Sequence, residues 1–346
     1  MTSAPPLLLL VGSPRHGVVQ YAADVASAAL RQDARVRTEA AADVADAEVV
    51  LATAERVHLH VTDRLFGSSP EAAADVIERW ASTVRLSVTL HDVPQTSDGT
   101  MLQRRCAAYA RIADAAGDVV VNSVHEQLLV DEFLPRARPT YAIPLGTRRG
   151  TAPAAPTSDE ASSPRDLRVM LAGYVYPGKG HAAALRAAAD AARALRSRGE
   201  SLGRVAVRAI GGPSRGHEDD VSRLREQAAR LGVDLEVTGF LDDDAFAREL
   251  AADGIPLAAH EHVSASRSML DWVEQGRRPL VVDSRYAAEM DELRPGTLAR
   301  YREGELAERL VAAWLDPART RLDVGRRLAP TLDDAAADYL VWWASL

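Results

Sequence analysis

The amino-acid sequence predicts an α/β protein with two doubly wound domains, each a parallel sheet covered by helices on both faces. Three observations lead to this prediction. The chain has 346 residues, which suits two domains better than one. Short apolar runs alternate with amphipathic helical stretches in both halves. A stretch rich in Ala, Pro, Ser, Thr and Asp, without apolar periodicity, separates the halves and predicts a linker at 149–165.

The first half, residues 1–148, opens with a strand and a helix and then repeats this order. Leu7–Val11 is predicted as a buried strand because it is a continuous apolar run that ends at a glycine-rich turn. The run lacks a basic lead-in and a spanning length, so we expect neither a signal peptide nor a membrane span there. The remaining apolar runs predict strands at 49–52, 57–61, 86–90, 118–122 and 141–143, and helices at 17–31, 70–82, 101–116 and 123–133.

The second half, residues 166–327, repeats the alternation and is followed by a C-terminal segment, 328–346. This closing segment is a helix rich in aromatic residues, with Tyr339, Trp342 and Trp343, and it must dock on another surface. It either packs on its own domain or crosses back to the first. The patterns of the second half predict strands at 167–172, 205–210, 234–238, 255–259 and 280–282, and helices at 181–196, 218–231, 243–251 and 266–275.

Composition excludes several classes of protein. Apolar residues make up 47% of the chain and charged residues 26%, which is enough to build cores. The net charge of −8, without a long basic block, argues against a nucleic-acid partner. Cys106 is the only cysteine, so no intramolecular disulfide can form, and we expect a cytoplasmic protein.

Lysine usage singles out one loop. Of 41 basic Lys and Arg residues, Lys179 is the only lysine, and it stands between Gly178 and Gly180 where a strand leads into a helix. A compact ammonium can approach a phosphate oxygen more closely than a planar guanidinium can. Together with the amides that begin the helix, Lys179 is predicted to hold a diphosphate. Because Gly180 stands where a P-loop has Ser or Thr, an NTPase is disfavoured.

Other candidate residues also follow strands, where open parallel sheets bind ligands. The turn from Gly12 to Gly17, with Arg15 and His16, allows a ligand to approach the backbone, and it does not match the dinucleotide motif. His91 follows a strand, and it either donates to a substrate or is hydrogen-bonded within its loop.

The loop and helix after the strand at 255–259 carry further candidates. Ser264 and Ser266 either cap the helix, which is the favoured interpretation, or bind phosphate oxygens. Asp271 on the same helix could accept hydrogen bonds from the hydroxyl groups of ribose or a sugar. Glu289 either contacts a ligand or compensates a helix dipole.

Three sequence patterns imitate metal sites, and we expect no metal at any of them. Alternate residues of a strand share a face in any case, and no third ligand is fixed by spacing. The acidic triplet precedes a helix, where an N-cap and an acidic first turn explain it better. The three patterns are His58 and His60 with Asp63, His260 and His262 with Glu261, and Asp242 to Asp244.

In order along the chain, several motifs resemble the family 4 glycosyltransferases, which are retaining enzymes of the GT-B fold. They are Gly-Val-Val-Gln at 17–20, Thr-Leu-His-Asp-Val-Pro at 89–94, Val-Asn-Ser at 121–123, Ile-Pro-Leu-Gly at 143–146, the loop from Gly173 to Gly180, Val-Thr-Gly-Phe-Leu at 237–241, and Gly-Arg-Arg-Pro-Leu-Val-Val at 276–282. The resemblance covers nearly the whole chain.

This resemblance implies two facing Rossmann-like domains with a cleft between them, the acceptor mainly on the first and a nucleotide sugar mainly on the second. It implies transfer of a sugar to a hydroxyl group with retention of configuration and without a metal or other cofactor. His91, Lys179 and Asp271 would be catalytic, while Arg15 and His16 would face the acceptor. The implied donor-binding residues are Gly12, Gly17, Gly173, Tyr174, Lys179, Gly180, His262, Ser264, Ser266 and Glu289.

The chain departs from the family pattern at two places. Tyr174 or Tyr176 stands where the family has an arginine before the Lys-Gly pair. Counting back from Gly276, the paired glutamates are replaced by Asp271 and Val263, although Glu261 or Ser264 could take the first role. A non-catalytic nucleotide-sugar-binding subunit is therefore the alternative function, and a sugar-nucleotide epimerase is a third. The sequence does not specify the donor base, the sugar, the acceptor or the oligomeric state. A lipid acceptor and membrane contact stay open, but the first half has no strongly basic amphipathic helix that would indicate them.

Overall fold

A computed structural model describes residues 4–134, 139–154, 165–214, 216–261 and 265–346. The described residues contain two six-stranded sheets, and every strand pairing in them is parallel. The α/β prediction with two parallel sheets is thus confirmed. Within the same residues, no helix combines the length and the apolar character needed to span a lipid bilayer.

The first unit holds the described residues of 4–148 together with residue 265 and residues 329–346. Its elements are β1 (Leu7–Val11), α1 (Gly17–Gln32), β2 (Arg37–Ala41), α2 (Val44–Leu51), β3 (Arg56–Val61), α3 (Asp63–Phe66), α4 (Pro70–Ala81), β4 (Arg85–Leu90), α5 (Leu102–Ala116), β5 (Asp118–Val121), α6 (Val124–Phe133) and β6 (Thr140–Ala142). The strand order in its sheet is β2-β1-β3-β4-β5-β6.

The second unit holds the described residues of 149–261 and 266–328. Its elements are β7 (Leu167–Ala172), α7 (His181–Ser197), β8 (Val205–Ile210), α8 (Glu218–Leu231), β9 (Asp234–Val237), α9 (Asp243–Ala251), β10 (Ile255–Ala258), α10 (Arg267–Glu274), β11 (Leu280–Val282), α11 (Arg285–Leu293), β12 (Ala299–Tyr301) and α12 (Leu306–Leu315). The strand order in its sheet is β12-β11-β10-β7-β8-β9.

The C-terminal helix, α13 (Leu332–Ser345), belongs to the first unit. Thr331 caps it and forms a reciprocal capping box with Asp334. The helix packs against α1, and Tyr339 and Trp343 are completely buried. These aromatic rings therefore contribute to the core of the first unit.

The predicted strand at 49–52 is wrong, because these residues form the end of α2 and the turn after it. Asp43 caps α2 by accepting hydrogen bonds from the amides of Ala45 and Asp46. Ala47 and Leu51, four residues apart, bury one face of the helix, whereas Val49 is exposed. A short apolar run alone does not distinguish a strand from the end of a helix.

Strand order identifies one reversal point in each sheet. In the first sheet, β2 lies on one side of β1, and β3 to β6 follow on the other side, so the reversal point is between β1 and β3. In the second sheet, β8 and β9 lie on one side of β7, and β10 to β12 follow on the other side, so the reversal point is between β7 and β10. Open parallel sheets bind ligands at such a point, beyond the carboxyl ends of the strands. The turn from Gly12 to Gly17 follows β1, and the loop from Gly173 to Gly180 follows β7. The topology therefore places both glycine-rich segments where ligands bind.

Candidate functional site

The loop after β7 depends on glycine at three positions. Gly173, Gly178 and Gly180 all have positive φ, between 86° and 98°. A Cβ atom at Gly180 would lie 2.3 Å from the carbonyl oxygen of Ala259, and one at Gly173 would lie 3.3 Å from Nζ of Lys179. The loop can therefore pack closely against the chain that follows β10 and leave room for the lysine.

Lys179 is almost completely buried, with 7% of its surface exposed. Its Nζ lies 2.6 Å from Nε2 of His260 and donates to Oγ of Ser268 at 3.2 Å. Among the residues that the structure describes, it makes no ion pair with a carboxylate. Burial lowers the pKa of Lys179 to about 8, although the negative charge of Asp271 acts in the opposite direction. The site thus contains a desolvated amine that a ligand anion would stabilise.

The beginning of α7 adds to this positive character. Gly180 caps the helix without a side-chain hydrogen bond, and no acidic residue stands in its first turn. His181 follows, 2% exposed, and neither ring nitrogen has a hydrogen-bond partner among the described residues. Burial and the nearby Lys179 lower the pKa of His181 to about 3, so this ring is neutral. The amides and the ammonium are the positive groups offered by this loop.

The chain after β10 supplies the partners of Lys179. Ser266 caps α10, since its Oγ accepts from the amide of Met269 and lies 3.2 Å from Oγ of Ser268. The amide of Ser266 donates to the hydroxyl of Tyr286 on α11. These contacts fix the position of Ser268 beside the lysine. His262 and Ser264, two predicted donor-binding residues, lie outside the described residues.

Asp271 and Glu289 occupy helices next to this loop. Arg267 donates to Oδ1 of Asp271 at 2.9 Å, so the carboxylate is paired within α10. Glu289 is half-buried in the second turn of α11, one turn after Tyr286. A helix dipole acts within the first turn, so dipole compensation does not explain Glu289.

Gly211, Gly212 and two aromatic rings lie next to the loop that follows β7. A Cβ atom at Gly211 would lie 2.3 Å from the carbonyl oxygen of Gly173, and one at Gly212 would lie 3.0 Å from the Phe240 ring. Phe240 is 63% exposed, and its ring centroid lies 5.6 Å from that of Tyr174. The close approach of Gly211 to Gly173 and of Gly212 to Phe240 thus places the exposed Phe240 and the half-buried Tyr174 beside this loop.

In the first unit, the turn after β1 has an open side. Gly12 has a φ of 108°, and a Cβ atom there would lie 2.8 Å from the Leu65 side chain. Gly17 begins α1, and a Cβ atom there would have nothing within 4 Å. His16 caps α1 through Nδ1, whereas Arg15 is exposed. The first turn of α1 lacks acidic residues, so its amides can also attract an anion.

His91 is 6% exposed at the carboxyl end of β4, and its polar groups contact the protein. Its Nε2 lies 2.9 Å from Nδ1 of His60, and its Nδ1 lies 3.2 Å from Nδ2 of Asn122. Its carbonyl oxygen accepts from the hydroxyl of Tyr109. Both ring nitrogens of His91 therefore contact side chains that follow or belong to neighbouring strands. Its pKa is held well below the usual range, mainly by burial.

The residue after His91 has a strained backbone that a buried arginine supports. Asp92 has a φ of 56°, in the left-handed region that residues other than glycine rarely adopt. Arg105 donates to both the carbonyl oxygen and the carboxylate of Asp92, and it also pairs with Asp98 and Asp63. Arg105 thereby holds the loop that carries His91.

The three patterns that imitate metal sites have other roles where they are described. His58 bonds to the hydroxyls of Ser87 and Thr89. Asp242 caps α9 by accepting from the amide of Ala245. Within the described parts of the chain, no three or more His, Cys, Asp or Glu side chains are arranged to hold a metal ion.

Several residues of the site have no local signal in the sequence. The contact between Lys179 and His260 joins positions 81 residues apart, and no local pattern indicates it. The Val-Asn-Ser motif contains Asn122 but does not indicate its contact with His91. Arg105 looks like any other helical arginine in this arginine-rich sequence.

The architecture is the GT-B fold, the two-domain α/β fold of many glycosyltransferases. Solved structures establish this likeness. Anabaena HepE in complex with UDP and glucose matches with a TM-score of 0.66 and 18% identity, over 99% of this chain and 97% of that one. Sucrose-phosphate synthase from Thermosynechococcus elongatus matches with a TM-score of 0.67 and 14% identity, over 99% and 96%. The lipopolysaccharide outer core galactosyltransferase WaaB, in its apo form, matches with a TM-score of 0.60 and 9% identity, over 97% and 98%.

No family model and no curated protein sequence matches the chain. At the identities of the structural matches, the likeness establishes the fold. A fold hosts many activities, so the function has to be argued from the side chains of the site.

Proposed function

We propose that the chain is a retaining glycosyltransferase, which moves a sugar from a nucleoside diphosphate sugar to the hydroxyl group of an acceptor. The observation that carries this proposal is the buried ammonium of Lys179, which no carboxylate pairs among the described residues. Removing a cation from water is costly unless an anion compensates it. An anionic ligand that binds in this loop offsets the free-energy cost of desolvating the ammonium.

The chemistry around Lys179 favours a diphosphate as this anion. Lys179 directly precedes the cap of α7, whose first turn has no acidic residue, and the flanking glycines allow phosphate oxygens to approach the backbone. The exposed ring of Phe240 beside Tyr174 adds a flat apolar surface on which a base could stack. The HepE structures contain UDP and UDP-glucose, which supports a uridine nucleotide as the first donor to test.

The proposed reaction breaks the bond between the anomeric carbon and the diphosphate oxygen and forms a bond from the acceptor oxygen to the same carbon. Negative charge develops on the departing diphosphate, where Lys179 and the helix amides stabilise it. The acceptor hydroxyl loses its proton to the departing diphosphate, and the new bond forms on the face that the leaving group occupied. Because Lys179 supplies the positive charge, we propose that neither a metal nor another cofactor takes part.

The other candidate residues take roles around this centre in the proposal. In the second unit, Asp271, Glu289, Ser266 and Tyr174 contact the sugar or the nucleoside. In the first unit, Gly12 and Gly17 contact the donor, Arg15 and His16 face the acceptor, and His91 adjoins the transferred sugar.

Calorimetry and a turnover assay together test this proposal. Titration with UDP, GDP and ADP identifies the base, and release of the nucleoside diphosphate from the matching sugar nucleotide measures turnover. We expect Lys179→Ala to reduce turnover at least about tenfold, which corresponds to about 1.4 kcal/mol. Unchanged turnover in this variant would remove the argument from the buried ammonium. Nucleotide binding without transfer to any acceptor would instead indicate a binding subunit.

A further inference from the structure

Three histidines lie side by side in the first unit, on neighbouring strands. His58 and His60 alternate on β3, and His91 follows β4. Their exposed fractions are 1%, 6% and 6%, so their hydrogen bonds are not exchanged with water. The hydrogen-bond partners of His60 and His91 determine which ring nitrogen carries the hydrogen.

Asn122 sets the direction at one end of this chain of hydrogen bonds. Its Nδ2 lies 3.2 Å from the carbonyl oxygen of Leu90, which can only accept, so this atom must be the NH₂ group. The same Nδ2 lies 3.2 Å from Nδ1 of His91. Its second hydrogen therefore points at His91, and Nδ1 of that ring accepts. The reversed amide would place two oxygens against each other at Leu90.

The position of the hydrogen on His91 determines which nitrogen of His60 carries its hydrogen. A neutral His91 whose Nδ1 accepts carries its hydrogen on Nε2, which lies 2.9 Å from Nδ1 of His60. Nδ1 of His60 accepts in turn, so the hydrogen of His60 is on Nε2. That nitrogen is buried without a hydrogen-bond partner among the described residues. A proton added to Nδ1 of His91 would face the NH₂ group of Asn122.

We propose that Asn122 and His60 are positioning residues, which hold the ring of His91 uncharged, with its hydrogen on Nε2 and in a fixed orientation. This inference rests on the proposed function, which puts the transferred sugar beside His91. A sugar there meets a rigid neutral ring, and the proton of the acceptor does not pass through it. Burial supports this arrangement, since it holds the pKa values of both imidazoles well below the usual range.

Nitrogen NMR of protein with ¹⁵N-labelled histidine tests the tautomers directly, without any substrate. We expect both rings to carry the hydrogen on Nε2 and to remain uncharged at about pH 6.5, where an ordinary histidine is half charged, with His91→Gln used to assign the signals. A His91 hydrogen on Nδ1, or a charged fraction of either ring at this pH, would overturn the proposal. This result does not depend on whether the protein transfers sugar, so it separates this inference from the proposed function.

Two sets of variants test the positioning role. Asn122→Asp replaces the donor with an acceptor, and we expect it to move the His91 hydrogen to Nδ1 and to lower kcat on the order of tenfold to a hundredfold, with a smaller change in KM for the donor. A moved hydrogen with unchanged kcat would refute the positioning role.

The His60 pair provides a second measurement in case Asn122→Asp fails to fold. His60→Asn keeps an acceptor near the position of Nδ1, whereas His60→Leu removes it. We expect the first variant to retain kcat within several-fold and to keep the His91 hydrogen on Nε2, and the second to lose at least about tenfold. Equal kcat in the two variants would contradict the proposal.

Discussion

Nζ of Lys179 lies 2.6 Å from Nε2 of His260, and the oxygen of Ser268 lies 3.2 Å from the same Nζ. The amine donates to both groups, so two of the three hydrogens of its charged form are used within the protein. The third hydrogen remains for a ligand oxygen. Two fixed contacts hold the amine in place before the ligand arrives, which reduces the ordering cost of binding.

The affinity for UDP should fall as the pH rises. The pKa of Lys179 is lowered to about 8 by burial, so the amine loses its charge above this pH. Only the charged form attracts the diphosphate, and the dissociation constant should rise by roughly thirtyfold between about pH 7 and about pH 9.5. Calorimetric titrations across this range measure the change. The control is Lys179→Met, which should bind UDP more weakly and should not show this rise of the dissociation constant with pH. The same rise in Lys179→Met would mean that another group causes it.

A methyl group at Gly173 should weaken nucleotide binding. The Cβ atom of Gly173→Ala would lie 3.3 Å from Nζ and 3.7 Å from Cε of Lys179, and the residue has a φ of 98°. The amine must shift away from its two partners, so UDP affinity should fall on the order of tenfold, or about 1.4 kcal/mol.

Gly199→Ala is the matched control for this substitution. Gly199 has a φ of 82°, and a Cβ atom there would have nothing within 4 Å. It should share the backbone cost of about 1–2 kcal/mol in unfolding free energy and leave UDP affinity unchanged. Equal losses of affinity in the two variants would show that strain, not the position of the amine, controls binding.

The exposed ring of Phe240 should bind the base of the nucleotide. Stacking of a base on an aromatic side chain contributes about 1–3 kcal/mol, so Phe240→Ala should weaken UDP binding by about 5-fold to about 150-fold. Pyrophosphate has no base, and its affinity should not change. Val324→Ala, which removes another exposed apolar side chain of the second unit, should leave both affinities unchanged. A parallel loss of pyrophosphate affinity in Phe240→Ala would exclude stacking as the cause.

The sequence predicts those strands and site residues that have a local sequence signal, and it does not predict those that depend on tertiary contacts. Leu7–Val11 could be predicted because an uninterrupted apolar run is typical of a strand buried on both faces. The edge strand Arg37–Ala41 has four exposed residues and therefore no apolar signal. Lys179 was found because glycines flank it and no other lysine exists in the chain. His260 was seen only as part of an imitation metal motif, since its contact with Lys179 depends on how β7 and β10 pair.

Arg105 should be one of the most sensitive positions for the stability of the first unit. Its side chain is 9% exposed and pairs with Asp63, Asp92 and Asp98, of which Asp63 and Asp98 are themselves largely buried. In Arg105→Met, these carboxylates lose their partner, and the free energy of unfolding should fall by about 3–5 kcal/mol. Arg104→Met is the neighbouring control, because Arg104 pairs with Glu71 at an exposed surface. In urea unfolding, the midpoint of Arg105→Met should be clearly lower than that of the unmodified protein, and the midpoint of Arg104→Met should be almost unchanged. Equal midpoints for the two variants would mean that the buried cluster does not stabilise the unit.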